Sequence, residues 1–273
     1  MYLKSVGKRR KKMSVEVLLS TMNRKDMDFL NNINLETECL VINQCGEDSY
    51  FEMNINNNVR IINTSEIGLS RSRNKAIKNA RGSICIIADD DLEYIDGYGD
   101  VIKNEFDKNP NYDIIAFQVY GKDKKFKKYS NKERKIGYIR SLKLASVEIA
   151  FRLQSILDND IKFDELLGSG AKYSMGEENA FLYECLRSGL KIRYVPVKIA
   201  DLYVGNSSWF RGFDDLYFIS RGASFAGMNK KFSGLLILQF AIRHFKEYKK
   251  SISFWRAISM MIKGKREYLS CKC

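Results

Sequence analysis

Short apolar runs alternate with helical patterns over the first two-fifths of the chain. Four runs have the length and composition of buried strands, and they cover residues 15–20, 38–43, 59–63 and 83–88. One helical pattern starts at Asp26, and a second runs from Ser70, a residue suited to capping a helix, to a stop signal at Gly82. This order predicts βαβ units and an α/β fold with a mostly parallel central sheet flanked by helices.

The later part of the chain changes character after one more helix and strand, expected at residues 100–109 and 114–120. A loop with two glycines, Gly168 and Gly170, then leads to a helix from Glu177 and a strand from Ile192. The C-terminal third is helical and amphipathic, with aromatic residues set among lysines and arginines: Trp209, Phe210, Phe232, Phe245 and Trp255.

A large positive charge narrows the choice of partners. The 273 residues include 46 Lys and Arg against 33 Asp and Glu, a formal net charge of +13. This excess suits nucleic acid, an acidic membrane leaflet or phosphorylated substrates. The sequence has no recognisable nucleic-acid-binding motif, so we expect no nucleic-acid partner. The aromatic and basic C-terminal segment suits either an anionic membrane surface or an ordinary helical layer packed on the sheet.

Cysteine and histidine content argue against a zinc protein. Six cysteines occur without a CxxC pair, and His244 is the single histidine. Reduced thiols without a signal-peptide pattern lead us to expect a cytoplasmic protein. The longest late apolar run, residues 235–242, is far shorter than the roughly 20 residues of a membrane-spanning helix.

Three acidic residues, Asp89, Asp90 and Asp91, directly follow the fourth predicted strand. Adjacent carboxylates at the end of a buried strand repel one another unless a cation relieves the repulsion. In an extended chain Asp89 and Asp91 point to one side and Asp90 to the other. Asp89 and Asp91 would then offer hard oxygen ligands to Mg²⁺ or Mn²⁺, with positions left for phosphate oxygens. The alternative interpretation is a solvated acidic turn.

Charged residues also open two of the predicted helices. Glu177 and Glu178 begin one, where acids interact favourably with the helix dipole and where a carboxylate facing a cleft is suited to deprotonate a sugar hydroxyl. Arg71 and Arg73 lie in the first turn of the other, as phosphate ligands or as surface charges.

Several segments together resemble the inverting glycosyltransferase family 2, whose members have the GT-A fold. VEVLLSTMNR is similar to the family's opening strand and loop, GLSRSRNKAIKNARGSICIIADDD to its A-R-N and D-x-D motifs, and FDELLGSGAKYSMGEENAF to its G-x-G and G-E-D motifs. YVGNSSWFRG is similar to a Ser-Ser segment near the end of many members. The resemblance implies a GT-A catalytic domain over residues 13–225, between a basic tail (1–12) and a helical, basic segment (226–273) suited to membrane association.

The resemblance also implies an activity and its residues. The expected reaction is metal-dependent, inverting transfer of a sugar from a nucleotide-diphosphate sugar to a saccharide or lipid-linked acceptor. The setting it implies is cell-surface polysaccharide or glycolipid synthesis at the inner face of the membrane. Asp89 and Asp91 match the metal-binding D-x-D, Glu178 matches the general base, and Glu177 matches the acid before it. The expected donor-binding residues are Thr21, Asn23, Arg73, Asp89 and Asp90.

Three positions depart from the family pattern. Asn43-Gln44-Cys45-Gly46 stands where the family has D-D-G-S, with Glu47 or Asp48 nearby to substitute for the missing acid. Glu178 replaces the commoner Asp. Many members also carry a His before the Ser-Ser segment that helps bind metal or diphosphate, and here only Asp201 is nearby.

Two alternatives therefore stay open. One is a metal-dependent nucleotidyltransferase, although the STMNRK loop lacks the glycines that such enzymes usually have after the first strand. The other is a catalytically inactive relative that binds nucleotide sugars.

Overall fold

A mixed β-sheet with helices packed on it forms the body of the protein. The computed structural model describes residues 13–55, 57–204 and 212–272. Within them the strands are β1 (Val15–Met22), β2 (Glu38–Gln44), β3 (Ser49–Ile55), β4 (Asn57–Thr64), β5 (Ile84–Asp89), β6 (Leu92–Tyr94), β7 (Ile114–Gly121), β8 (Arg134–Ile136), β9 (Ile149–Arg152) and β10 (Ile192–Leu202).

Helices follow most of the strands along the chain. The α-helices are α1 (Leu69–Asn79), α2 (Tyr98–Lys108), α3 (Tyr138–Ser141), α4 (Leu153–Asp158), α5 (Glu177–Arg187), α6 (Asp215–Met228), α7 (Ser233–Arg243), α8 (Phe245–Tyr248) and α9 (Phe254–Cys271). Short 3-10 helices cover Asp28–Asn32 and Ser146–Glu148.

The strand order is β3-β4-β2-β1-β5-β9-β7-β10-β6, with β8 paired to β10. Strands β4, β2, β1 and β5 are parallel neighbours, as are β7 and β10. Strand β9 is antiparallel to both β5 and β7 and joins the two parallel parts. The four strands expected from the apolar runs are confirmed, and the carboxyl ends of β4, β2, β1 and β5 meet at one edge of the sheet.

Both faces of the sheet are buried, which explains why the strands are almost continuously apolar. Along β1, Val17 and Leu19 belong to one hydrophobic cluster while Leu18 belongs to another. Along β5 the same alternation assigns Ile86 to the first cluster and Ile87 to the second. Because successive side chains of a strand point to opposite faces, the two clusters are the two layers that cover the sheet.

Three local expectations are corrected by the structure. Strand β3 was missed, because it lies at the sheet edge and has exposed side chains, so its apolar signal is weak. The segment after Asp26 forms a short 3-10 helix over Asp28–Asn32 in place of the expected α-helix. Ser70 does not cap α1: the cap is Gly68, whose carbonyl accepts from the Ser72 amide at 3.0 Å, while the Ser70 hydroxyl donates to the Leu167 carbonyl at 2.7 Å.

The C-terminal third is helical, as expected, and forms a third hydrophobic cluster with the start of α5. Helices α6 and α9 approach so closely that a Cβ on Gly222 would lie 1.9 Å from the Met261 carbonyl oxygen. A Cβ on Gly264 would lie equally close to the carbonyl oxygen of Ile219. The two glycines therefore set the contact distance of this helix pair.

Some expectations concern residues that the structure does not describe. The tail of residues 1–12 lies outside the described residues, as do residues 205–211 of the Ser-Ser segment, including Trp209 and Phe210. The division between residues 225 and 226 falls inside α6 and stays a prediction. Among the described helices, none combines the length and the apolar character needed to cross a membrane.

Candidate active site

The expected donor-binding residues converge at the carboxyl edge of the parallel strands. Ser20 of β1 is in register with Asp89 of β5, and Thr21 is in register with Asn43 of β2. Asn23, immediately after β1, has a left-handed backbone (φ 56°), and its backbone N–H donates to the backbone carbonyl of Gln44 at 3.0 Å. Ligands of open α/β sheets bind outside the carboxyl ends of the strands, and this edge is therefore the candidate site.

The three aspartates have three different environments. Asp89 ends β5 and forms an ion pair with Arg73. Asp90 accepts from the Thr21 hydroxyl at 2.5 Å and from Arg24 Nη2 at 2.8 Å. Asp91 Oδ1 is buried and has no hydrogen-bond partner. The chain turns at Asp90, so the side-to-side alternation assumed for an extended triplet does not hold beyond Asp89.

Asp91 is the carboxylate that best fits a cation. Burial, and then the charges of Asp89 and Asp90, raise the pKa of Asp91 to about 7. A divalent cation beside Asp91 would satisfy the orphaned oxygen and relieve the repulsion within the triplet. The described residues contain no group of three His, Cys, Asp or Glu side chains arranged around a metal position. The fit therefore concerns one carboxylate with a buried oxygen, and the remaining positions would be left to water and substrate oxygens.

Arg73 links the triplet to α5. Its side chain is 3% exposed, and its Nη2 lies 3.2 Å from Asp89 Oδ1 while its Nη1 lies 3.0 Å from Glu177 Oε1. The Ser146 hydroxyl accepts a further bond from Nη2 at 2.8 Å. Burial opposes the charged guanidinium, but the carboxylates of Asp89 and Glu177 outweigh it and raise the pKa of Arg73. Asp89 of β5 and Glu177 of α5, which are far apart in the chain, are thus joined through one cation.

Arg71, the other candidate of the same helix turn, has a different environment. Its Nε lies 3.3 Å from Glu165 Oε2, and both side chains are about half exposed. The structure brings Arg73 into the site and leaves Arg71 at the surface.

Glu178 faces a cavity beside this cation. Helix α5 begins at Glu177 after Gly176, so Glu177 turns to Arg73 while the half-buried Glu178 side chain lines the cavity. The cavity has a volume of about 500 Å³, and its walls include Arg73, Ser146 and Tyr217. Burial, and then the charge of Glu177, raise the pKa of Glu178 to about 8. A carboxylate with a pKa near neutrality is suited to proton abstraction.

A second cavity, of about 750 Å³, adjoins the other side of the triplet. Asp90 and Asp91 line it together with Arg24, Phe29 and Tyr203. Asp89 lines neither cavity, but its partner Arg73 lines the cavity of Glu178. The Arg73–Asp89 pair therefore links residues of the two cavities, an arrangement that suits a site that binds two substrates.

Asn43 gives a physical reason for one departure from the family pattern. Its Oδ1 accepts from the Arg24 amide at 3.1 Å, and its Nδ2 donates to the Arg24 carbonyl at 2.9 Å. An ionised aspartate at position 43 could not make the second of these bonds, because a carboxylate has no N–H to donate to the Arg24 carbonyl. The side-chain amide of Asn43 therefore holds the loop in which Arg24 contacts Asp90.

Sequence reasoning missed two members of the site, Arg24 and Ser146. Arg24 had a signal, because it is the arginine of the TMNR loop from which only Thr21 and Asn23 were chosen. Ser146 had no signal in the sequence, because it lies in a short 3-10 helix far along the chain from its partner Arg73. The expected Asp201 lies in β10 with its carboxylate 2.8 Å from Lys198 Nζ.

Comparisons with solved structures agree with this fold. S. aureus TarS 1-349 is similar to this chain with a TM-score of 0.62 at 14% identity, covering 95% of this chain and 83% of that one. The same protein in complex with UDP-GlcNAc gives 0.61 at 16% identity, with 88% and 74% covered. Its complex with UDP gives 0.61 at 14% identity, with 95% and 83% covered. These likenesses show the GT-A fold.

A comparison with curated protein sequences finds no match. The family model described as glycosyl transferase family 2 matches residues 27–165, which is more than half of the chain and includes β2 to β9. Since the model spans the strand that ends in Asp89 and the fold agrees, this chain belongs to glycosyl transferase family 2.

Proposed function

We propose that this protein transfers a sugar from a nucleotide-diphosphate sugar to a hydroxyl acceptor with inversion of the anomeric carbon. The observation that carries the proposal is the Arg73 bridge, which holds the strand-end Asp89 and the α5 residue Glu177 on one guanidinium. It supports a single site, because Arg73 lines the cavity of Glu178 and pairs with the first aspartate of the triplet. The bound UDP-GlcNAc and UDP of the structurally similar TarS support a uridine donor.

Glu178 is the proposed general base. Its carboxylate takes the proton of an acceptor hydroxyl as that oxygen attacks C1 of the donor sugar from the face opposite the diphosphate. The new C1–O bond forms while the bond to the diphosphate oxygen breaks, and the nucleoside diphosphate leaves with the electron pair. One displacement inverts the configuration at C1. Glu177 acts through Arg73, because its carboxylate is already paired with that cation.

Metal dependence belongs to the same proposal. Asp91 would hold Mg²⁺ or Mn²⁺ through its orphaned oxygen, and Asp89, already paired with Arg73, would contribute charge. The cation, when bound, would offset the negative charge of the leaving diphosphate. Thr21, Asn23 and Asp90 would contact the nucleotide on the side of the second cavity.

The acceptor, the pathway and the cellular location belong to the same proposal. We propose a saccharide or lipid-linked acceptor, a role in cell-surface polysaccharide or glycolipid synthesis, and a cytoplasmic location peripheral to the inner face of the membrane. The exposed basic character of the C-terminal helices supports this location. Membership of the family weighs against a nucleotidyltransferase.

A donor screen tests the proposal. The purified chain is incubated with UDP-, GDP- and dTDP-sugars in Mn²⁺, and release of the free nucleoside diphosphate is measured with and without saccharide acceptors. We expect turnover of one donor class, loss of turnover in Glu178→Gln, and unchanged donor binding in that variant. Glu184→Gln is the matched control, since Glu184 lies on the same helix but pairs with Arg187 away from the cavity.

Full turnover in Glu178→Gln would overturn the assignment of the base. Donor binding with no turnover in the unaltered protein, over the whole panel, would favour the inactive relative.

A further inference from the structure

Helix α7 exposes an apolar stripe. Its members are Phe232 (62% exposed), Leu235 (65%), Leu238 (46%) and Ile242 (63%). The spacings of three and four residues place them on one face of the helix. The opposite face is buried, because Ile237, Phe240 and Ala241 belong to the third hydrophobic cluster.

Exposed cations flank this stripe along the chain. Besides Lys230, they are five residues: Lys231, Arg243, Lys246, Lys249 and Lys250. Across residues 229–250 the one acid is Glu247, which is paired with His244. Throughout the described residues, no carboxylate lies within ion-pair distance of the five cations. The positive charge of the stripe's surroundings is therefore available to a partner.

Aromatic rings extend the surface towards α9. The rings of Phe245 and Phe254 are 5.7 Å apart, and Phe254 contacts Trp255 at 5.2 Å. Trp255 is strongly exposed at the start of α9. Tryptophan at the border of an apolar and a charged region is typical of groups that lie at a membrane–water interface.

We propose that residues 229–250 form a docking surface for an anionic lipid bilayer. The stripe of α7 enters the boundary between head groups and acyl chains, and the five cations contact the lipid phosphates. The helix lies in the plane of the surface, since its 11 residues are too few to span the bilayer.

Charge distinguishes this occupant from the alternatives. A second copy placed on the same surface would bring the unpaired cations of both copies together, which is unfavourable. The phosphates of a nucleic acid would pair with the cations, but they would also lie against the four apolar side chains, which cannot bind them. An anionic bilayer satisfies both the apolar stripe and the cations around it.

Vesicle sedimentation of the full chain tests the proposal. We expect the protein to sediment with vesicles of phosphatidylcholine containing about 30% phosphatidylglycerol, and to remain in solution with phosphatidylcholine alone, because the cations supply much of the attraction. Added salt should weaken the binding, since exposed charges are screened.

Two variants separate the contributions of the stripe and of the cations. Leu235→Ser with Ile242→Ser, and separately Lys246→Gln with Lys249→Gln and Lys250→Gln, should each reduce partitioning about tenfold or more. Ile139→Ser is the matched control, because Ile139 is an apolar residue on α3 that is even more exposed than Leu235 and Ile242. Circular dichroism and UDP binding should be unchanged in all three proteins, since none of these residues lines the candidate site.

Three results would overturn the proposal. The first is no sedimentation of the unaltered protein with anionic vesicles. The second is equal sedimentation of the stripe variant and the unaltered protein. The third is a dimer in light scattering that the stripe variant abolishes, which would assign the surface to a second copy of the chain.

Discussion

The Arg73 bridge predicts a large and specific loss of stability when its cation is removed. Arg73→Met keeps the length and apolar stem of the side chain but leaves the carboxylates of Asp89 and Glu177 unpaired. All three side chains are at least 85% buried, so solvent screens the interaction weakly. Breaking a buried ion pair by removing one partner costs about 3–5 kcal/mol. We expect a loss of that size in the free energy of unfolding.

Arg71→Met is the matched control on the same helix. Its pair with Glu165 is half exposed, and exposed pairs contribute about 0–1 kcal/mol. The two variants therefore lose the same charge and differ in burial and partners. A difference of at least about 2 kcal/mol between them follows from these ranges.

A double variant tests whether the repulsion of the orphaned carboxylates causes the loss. Glu177→Gln removes one of the two charges that Arg73 neutralises. The double variant Arg73→Met with Glu177→Gln should be more stable than the sum of the single losses predicts, by about 0.5–3 kcal/mol.

Urea unfolding followed by circular dichroism measures the free energy of unfolding of the four variants and of the unaltered protein. A loss below about 1 kcal/mol in Arg73→Met, or strictly additive losses in the double variant, would refute the claim that Arg73 holds the two carboxylates together.

Three further outcomes can be measured on the same protein. Glu178 accepts a proton only when it is ionised, and burial raises its pKa to about 8. We therefore expect kcat/KM to increase as pH rises through about 8. A kcat/KM that stays constant between about pH 6 and 9 would contradict this. Asp91→Asn should raise the Mn²⁺ concentration needed for half-maximal UDP binding by about tenfold or more, and an unchanged Mn²⁺ titration would exclude Asp91 as a ligand. Gly222→Ala should lower the free energy of unfolding by about 2 kcal/mol or more, because the new Cβ would meet the Met261 carbonyl. Gly234→Ala on α7 is the control, and it should be neutral or stabilise by up to about 1 kcal/mol. Equal effects of the two glycine variants would refute the close contact of α6 with α9.

The parallel part of the fold was predictable because its signals are local. Strands β1, β2, β4 and β5 are apolar on both faces, and a strand buried in this way produces a continuous run in the sequence. The start of α5 at Glu177 was equally visible, as two acids after a glycine.

The parts that escaped prediction depend on contacts between distant residues. The cap of α1 is Gly68, since the Ser70 hydroxyl is taken up by the Leu167 carbonyl nearly a hundred residues later. Arg73 was expected to meet phosphate, but its partners Asp89 and Glu177 are assembled only when α5 packs against the sheet edge. Whether Arg73 also contacts a donor stays a prediction. Asn43 stands where the family pattern has an acid, and the role of its side-chain amide in binding the backbone of Arg24 was not visible in the sequence.

The central claim is that the strand-end cleft binds a nucleoside diphosphate together with a divalent cation. Titration calorimetry with UDP, in Mn²⁺ and then in excess chelator, tests it most directly. We predict saturable binding of UDP in Mn²⁺ that weakens about tenfold or more when the cation is removed, because the diphosphate of UDP and Asp91 would both bind the cation. No binding of UDP, GDP or dTDP in the presence of Mn²⁺ would contradict the claim.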